Sequence, residues 1–204
     1  MKKPLLLAAA IGSLAAPAGA VTVVLDGTAA DPLGTRFIYG GTYAVDPQTN
    51  QTFESMIPGS RFIIFDFAGY VAGTITSGNA NMAPSIEMTS TGLLLPPGFV
   101  DDPTVPNLVF TWIGPAFTPP PDYAFTGYSA VSIYPGVDGD ATVFSSLDQN
   151  VANGTPLYMQ GHIAGPVALA TAIPEPTTWA MMVLGFGMVG IGMHGRRRPR
   201  LALA

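Results

Sequence analysis

Residues 21–172 hold 15 of the chain's 20 prolines and 17 of its 24 glycines. Proline inside a helix removes a hydrogen bond and clashes with the preceding turn, while glycine costs backbone entropy. The spacing leaves no convincing ten-residue window for an amphipathic helix, and any helix here should be short. The segments between these prolines and glycines are rich in Val, Ile, Phe, Tyr and Thr, which strands favour. The pattern predicts an all-β body.

The body is predicted to hold ten short strands separated by frequent turns. Arg61–Phe67 is apolar on both faces through its middle, which predicts a central strand. In Leu108–Ile113, alternate residues are expected to point to opposite faces of the sheet. Such a series favours an antiparallel β-sandwich. The ten predicted strands are Val21–Asp26, Thr35–Val45, Arg61–Phe67, Tyr70–Thr76, Ser85–Thr91, Leu108–Ile113, Ala130–Tyr134, Ala141–Ser146, Thr155–Gln160 and Val167–Thr171.

The N-terminus has the three parts of a secretory signal peptide, which we predict over residues 1–20 as a helix. A basic start at Lys2 and Lys3 precedes an apolar core, Pro4–Leu14. The small residues Ala18 and Ala20 follow at the positions that a signal peptidase reads, so that enzyme is an expected partner. The apolar core is too short for a membrane anchor, and the mature chain is expected to begin at Val21.

The C-terminal residues 173–200 combine a short motif, an apolar run and a basic end. At about 1.5 Å per helical residue, the apolar run with its flanks reaches about 25–30 Å, enough to cross a bilayer core. We predict a single transmembrane helix over about residues 178–195. Arginine at mid-membrane costs about 2.5–3.5 kcal/mol, so the basic end, residues 196–200, should stop transfer through Arg196, Arg197 and Arg198.

This tail resembles the PEP-CTERM sorting signal of Gram-negative bacteria, in its Pro-Glu-Pro-x-x-Trp-Ala form. The residues that carry the resemblance over about a seventh of the chain include Pro174, Glu175, Pro176, Trp179 and Ala180. The resemblance implies that an exosortase recognises the tail and processes the protein near the tripeptide. It also implies an inner-membrane precursor that reaches the cell surface or an extracellular matrix associated with exopolysaccharide.

The charge of the body limits its partners. Between the two targeting segments, Arg36 and Arg61 are the only basic residues against twelve acidic ones, a formal charge of −10. Nucleic-acid binding needs lysine and arginine at the phosphates, so we exclude it. The chain has no cysteine, which excludes disulfides, thiolate catalysis and cysteine-ligated zinc. Cations and neutral sugars remain compatible partners.

Catalytic residues are hard to assemble from this body. His162 is its one histidine and has no Gly-x-Ser-x-Gly elbow beside it. Glu54 and Glu87 lie in no recognisable motif, although twelve acids leave open a carboxylate pair such as glycoside hydrolases use. We expect no enzyme, with a secreted glycoside hydrolase as the alternative.

No cofactor is expected either, and calcium is the one alternative. Asp101-Asp102 and Asp138-Gly139-Asp140 offer hard oxygen ligands, but a calcium site takes six to eight of them and the EF-hand pattern is absent. Asp-Gly-Asp is more often a hairpin turn, because both residue types tolerate its dihedral angles.

Two predicted loops are longer than hairpins need, Pro96–Asn107 and Gly114–Gly127. The second carries Phe117, Tyr123 and Phe125, which could stack on sugar rings or could cover an end of the core. The first hypothesis for the body is therefore a non-catalytic surface or matrix protein. The second is a carbohydrate-binding module that uses these aromatics to bind extracellular polysaccharide.

Overall fold

The computed structural model describes residues 21–43, 52, 54–89, 93–168, 181 and 186. The chain divides into two compact units, Met1–Ala168 and Leu169–Ala204. The predicted signal peptide lies outside the described residues, and so does the predicted transmembrane helix except for Met181 and Phe186, both helical. Within the described part of the chain, no helix is long and apolar enough to cross a bilayer.

The described part of the body contains nine strands, and every strand pairing is antiparallel. The predicted all-β, antiparallel class is confirmed. The strands are β1 (Val21–Asp31), β2 (Gly34–Tyr43), β3 (Glu54–Ser55), β4 (Arg61–Ile64), β5 (Met82–Glu87), β6 (Asn107–Trp112), β7 (Ala124–Ser132), β8 (Gly136–Asn150) and β9 (Pro156–Val167).

These strands form two sheets. Sheet 1 has the order β1-β2-β7. Sheet 2 is built around β8, the longest strand: β9 pairs with one edge of β8, while β3 and β4 follow one another along the other edge. β6 then pairs with β4, and β5 pairs with β6. Strand β4 is therefore central in sheet 2, as its apolar sequence predicts.

The main core lies between the sheets and consists largely of aromatic rings. Phe62 on β4 stacks on Phe110 on β6, with ring centroids 4.8 Å apart. Both rings meet Tyr128 on β7 edge-on, at 5.0 and 5.1 Å. Edge-to-face and offset stacking at such distances are favourable beyond the area they bury. These contacts join sheet 2 to sheet 1 across the main core.

A second, smaller core covers the outer face of sheet 2. It contains Ile63 and Phe65 together with Val109 and Val143. Leu93, Leu95 and Phe99, from the segment that follows β5, pack over them. Since β4 buries alternate residues in the two cores, its apolar run needs no polar face. In β6, Leu108, Phe110 and Trp112 lie in the main core and Val109 in the outer one, which confirms the predicted alternation.

Several predicted strand boundaries are wrong. Residues 70–76 make only isolated bridges, Tyr70 to Ser132 and Thr76 to Ser129, because Gly73 between them has a φ of +77° and turns the chain. Strand β7 begins at Ala124, inside the predicted loop Gly114–Gly127. The short strand β3 was not predicted at all.

The predicted break after Gln160 is also wrong, because β9 runs unbroken to Val167. A Cβ on Gly161 would lie 2.8 Å from the ring of Phe144, and one on Gly165 would lie 2.7 Å from Thr142. These glycines make room for side chains of β8, so they do not turn the chain. The predicted hairpin turn at Asp138-Gly139-Asp140 lies within β8, where the pairing with β9 changes register.

Candidate functional site

The predicted sorting and processing residues fall outside the described part of the chain. This holds for Ala18 and Ala20 of the signal peptide and for the whole motif from Pro174 to Ala180. It also holds for the stop-transfer residues Arg196, Arg197 and Arg198. Their roles stay predictions from the sequence.

The three aromatics proposed as glycan contacts lie together at one end of the main core. The Phe117 ring stacks on Trp112 at 5.9 Å and meets Tyr123 at 5.4 Å. Tyr123 in turn lies 6.2 Å from Tyr43. All three residues are half-buried and pack against the core cluster. This packing is the alternative role, in which the rings cover an end of the core.

Phe125 differs from the other two because its ring faces inward. It lies 5.9 Å from Phe62 and 5.7 Å from Tyr128, both core rings. Phe125 also lines an open groove of about 260 Å³, together with threonines and one carboxylate. The full lining is Thr22, Val24, Asp26, Gly41, Thr42, Ala124, Phe125 and Thr126. Hydroxyls and a carboxylate are groups that can hydrogen-bond sugar hydroxyls.

A pair of buried carboxyl groups lies on the inner face of sheet 2. Glu54 on β3 is 1% exposed and Asp148 on β8 is 7% exposed. Glu54 pairs with Asn150, and alternate residues of a strand share a face, so Asp148 is its diagonal neighbour. Neither carboxyl oxygen of Glu54 has a hydrogen-bond partner within the described structure.

Burial controls the ionisation of both groups. It raises the pKa of Glu54 to about 9, and the charge of Asp148 adds to the shift. Burial also raises the pKa of Asp148 to about 7. A hydrogen bond with the Ser60 side chain has the opposite effect and lowers this pKa. The pKa of Tyr43 is raised by burial and then by Asp148 and Glu54. Glu54 is therefore a neutral acid at pH 7.

This interior site has no room for an organic substrate. The cavity that Asp148 lines with Tyr43, Ser60, Arg61 and Ser146 has a volume of about 10 Å³, and that is space for about one water molecule. The carboxyl pair was missed from the sequence, where Glu54 lies in no motif. No sequence signal pointed to it, because Thr52 and Glu54 are polar and their burial is seen only in the structure.

A second acidic cluster lies at the surface, where β4 leads into the next segment. The Asp102 amide donates to Asp66 Oδ1 at 3.1 Å, and the Asn107 side chain donates to Asp101 at 2.9 Å. Asp66 has a φ of +48°. Burial raises the pKa of Asp66 to about 6, and the neighbouring Asp101 and Asp102 carboxylates add to this shift. The hydrogen bond from the Asp102 amide acts in the opposite direction and lowers the pKa.

The remaining candidates are dispersed. His162 is exposed on β9, and Glu87 on β5 lies 3.6 Å from the Arg61 guanidinium. Asp138 and Asp140 lie in β8, with the Asp140 amide donating to the Asp138 carboxylate. In the regions the structure describes, no three His, Cys, Asp or Glu side chains are grouped closely enough to hold a metal ion together.

Comparison with known proteins identifies the tail. Residues 172–198 match the family model of the PEP-CTERM protein-sorting motif, which confirms the resemblance found in the sequence. The motif implies an exosortase as the processing partner. It also implies an exported precursor that passes the membrane and is sorted to the cell surface. No curated protein and no solved structure matches this chain.

Proposed function

We propose that this protein is a non-catalytic component of the cell surface or of an exopolysaccharide-associated matrix, delivered by its C-terminal sorting motif. The observation that carries the proposal is the PEP-CTERM match at residues 172–198. In this proposal, a signal peptidase cuts after Ala20, and the tail holds the precursor in the inner membrane. The exosortase then processes the tail near Pro174-Glu175-Pro176.

The body supports a structural role. Its formal charge of −10 keeps copies soluble and mutually repelling. Asp148, one of its two buried carboxyl groups, lines a cavity too small for a sugar, and His162 lies exposed on β9. We therefore assign no reaction and no cofactor to the body.

The test is the mass of the mature protein in its native cells. The expected mass lacks residues 1–20 and some or all of the tail. In a variant with Pro174→Ala and Glu175→Ala, we expect the intact tail to persist in membrane-bound protein. Pro166→Ala, a proline in β9 outside the motif, is the matched control and should mature normally. Normal maturation of the double variant would rule out Pro174 and Glu175 as the recognised feature.

A second candidate function is carbohydrate binding, which the adjacent half-buried rings of Phe117 and Tyr123 favour. Both residues are half-buried and so keep part of their surface in contact with solvent, where aromatic rings can stack on sugars. Binding of the protein to a panel of polysaccharides tests this function. Tyr123→Ala should abolish binding, while Tyr158→Ala, an exposed tyrosine on β9, should not change it. Equal binding by both variants would contradict a role for this ring pair.

A further inference from the structure

The segment that contains β3 joins the end of β8 to the residues around Phe117. Glu54 and Ser55 pair with Asn150 and Gln149 of β8. On its other side, Met56 and Phe117 exchange two backbone hydrogen bonds of 2.8 Å each. The Thr52 hydroxyl also donates to the Pro119 carbonyl at 2.7 Å. We call Thr52 and Glu54–Met56 the β3 segment.

The charged and titratable groups around Glu54 come from several elements. Asp148 lies on β8, and Tyr43 lies at the end of β2 with Tyr123 and Tyr128 beside it. Arg61 on β4 lines the cavity next to Asp148, and its guanidinium is 3.6 Å from Glu87. Glu54 itself has no hydrogen-bond partner for either carboxyl oxygen within the described residues.

A buried carboxyl group without a partner is tolerated only while it is uncharged. If Glu54 ionises, its charge lies on the same sheet face as Asp148, and one of the two must reach water. Strand β8 is held more firmly, because β9 and β4 pair with it along much of its length. Among the described residues, the β3 segment pairs with β8 through two residue pairs.

We propose that Glu54 and Asp148 form an alkaline-sensitive latch on the β3 segment. While Glu54 is uncharged, the segment stays on the end of β8. When Glu54 ionises, its side chain turns to solvent, and the segment leaves β8 and breaks its bonds to Phe117 and Pro119. This latch does not depend on the proposed function.

The pH range follows from the two shifted groups. The pKa of Glu54 is about 9 in the folded protein, against an ordinary 4.5, and that of Asp148 is about 7 against 3.8. A raised carboxyl pKa means that stability is fully present below the ordinary value and is lost as the pH rises through the folded value. Opening thus releases protons, and the latch weakens progressively between about pH 5 and pH 9.

The latch would control the aromatic end of the core. Phe117 is bonded to the β3 segment through its backbone and packs on Trp112 and Tyr123 through its ring. Release of the segment frees this backbone, so the rings of Phe117 and Tyr123 would become more exposed. An alkaline medium therefore uncovers apolar surface at this end of the body.

Hydrogen–deuterium exchange of the full chain tests the latch. We follow the amides of Met56 and Phe117, with the Phe65 amide, which donates to Val143, as the internal reference. After correction for intrinsic exchange, protection of the first two should fall about tenfold per pH unit between pH 6 and pH 9, since opening releases one proton from Glu54. Protection of Phe65 should not follow this slope.

Two variants complete the experiment. Glu54→Gln should remove the slope, whereas Asp140→Asn, the loss of one exposed carboxylate on β8, should keep it. A slope that persists in Glu54→Gln, or that is equal at Phe65, would overturn the latch. An NMR titration of Glu54 in the unmodified chain covers the case in which Glu54→Gln does not fold. Ionisation of Glu54 below pH 6 would also overturn the proposal.

Discussion

The Thr126 hydroxyl on β7 donates a 2.5 Å hydrogen bond to the carboxylate of Asp26 on β1, although β2 lies between these two strands. The register of β1 against β2 shifts at Asp26, and that of β2 against β7 shifts at Gly40. A Cβ on Gly40 would collide with Asp26 Oδ2. The carboxylate therefore crosses β2 above a residue that has no side chain.

Gly40→Ala should destabilise the protein, because the added methyl group also meets the Phe125 carbonyl oxygen at 2.6 Å. Overpacking of this kind costs about 1–3 kcal/mol. Urea denaturation measures the loss. Gly27→Ala, on β1 with nothing near its Cβ position, is the control and should change the free energy of unfolding little. Equal losses in the two variants would mean that the crossing carboxylate does not constrain Gly40.

Phe99→Ala should weaken the outer core of sheet 2. The Phe99 ring lies 5.8 Å from Phe65 in an edge-on contact. Because Phe99 is half-buried, we expect a loss of about 2 kcal/mol, below the roughly 3–5 kcal/mol of a fully buried phenylalanine. Val100→Ala, next in the chain and 82% exposed, should have almost no effect in the same thermal or urea denaturation. If Phe99→Ala cost as little stability as Val100→Ala, the Phe99 ring would not contribute to the outer core of sheet 2.

Asp66→Asn should stabilise the protein at pH 7.5 but not at pH 3.5. The pKa of Asp66 is raised to about 6 from 3.8, so the stability it contributes is present below about 3.8 and lost as the pH rises through 6. Asparagine keeps the acceptor for the Asp102 amide and tolerates the positive φ. The melting temperature at the two pH values checks this. Asp122 also has a positive φ, and Asp122→Asn serves as the control for an aspartate-to-asparagine change in that backbone conformation. A gain at pH 3.5 as large as at pH 7.5 would contradict the assignment to Asp66 ionisation.

Replacing Arg196, Arg197 and Arg198 with glutamine should impair retention of the precursor in the inner membrane. Three charges that each cost about 2.5–3.5 kcal/mol at mid-membrane would no longer stop transfer. Cell fractionation followed by immunoblotting measures the membrane-bound share. Arg36→Gln, in the body, is the control for a lost arginine. Unchanged retention and processing of the triple variant would show that these arginines do not anchor the tail.

The sequence predicted the class of fold well, because prolines and glycines disfavour helices locally and strand-forming residues favour strands locally. The central place of β4 followed from its two apolar faces, and the alternation in β6 followed from the pleat. The sorting motif was recognisable for a similar reason, since its residues are contiguous.

The rest depends on contacts between distant parts of the chain. Gly161 looks like a turn residue until Phe144 is known to lie over it. Glu54 looks like a surface residue until it is known to be buried in a strand that pairs with the distant β8. The composition of residues 70–76 is that of a strand, and it does not reveal that these residues make only isolated bridges to β7.

Strand β8 also sets an order of events during export. In a chain that emerges from the translocation channel N-terminus first, residues 54–64 leave long before their partners at 144–150. Sheet 2 cannot close around β4 until almost the whole body has crossed, and such distant pairings form slowly. Since β9 ends at Val167 and the sorting motif begins at residue 172, the last strand in the described part of the body emerges just ahead of the tail. A tail that pauses in the membrane would therefore give the body time to fold while it is still tethered.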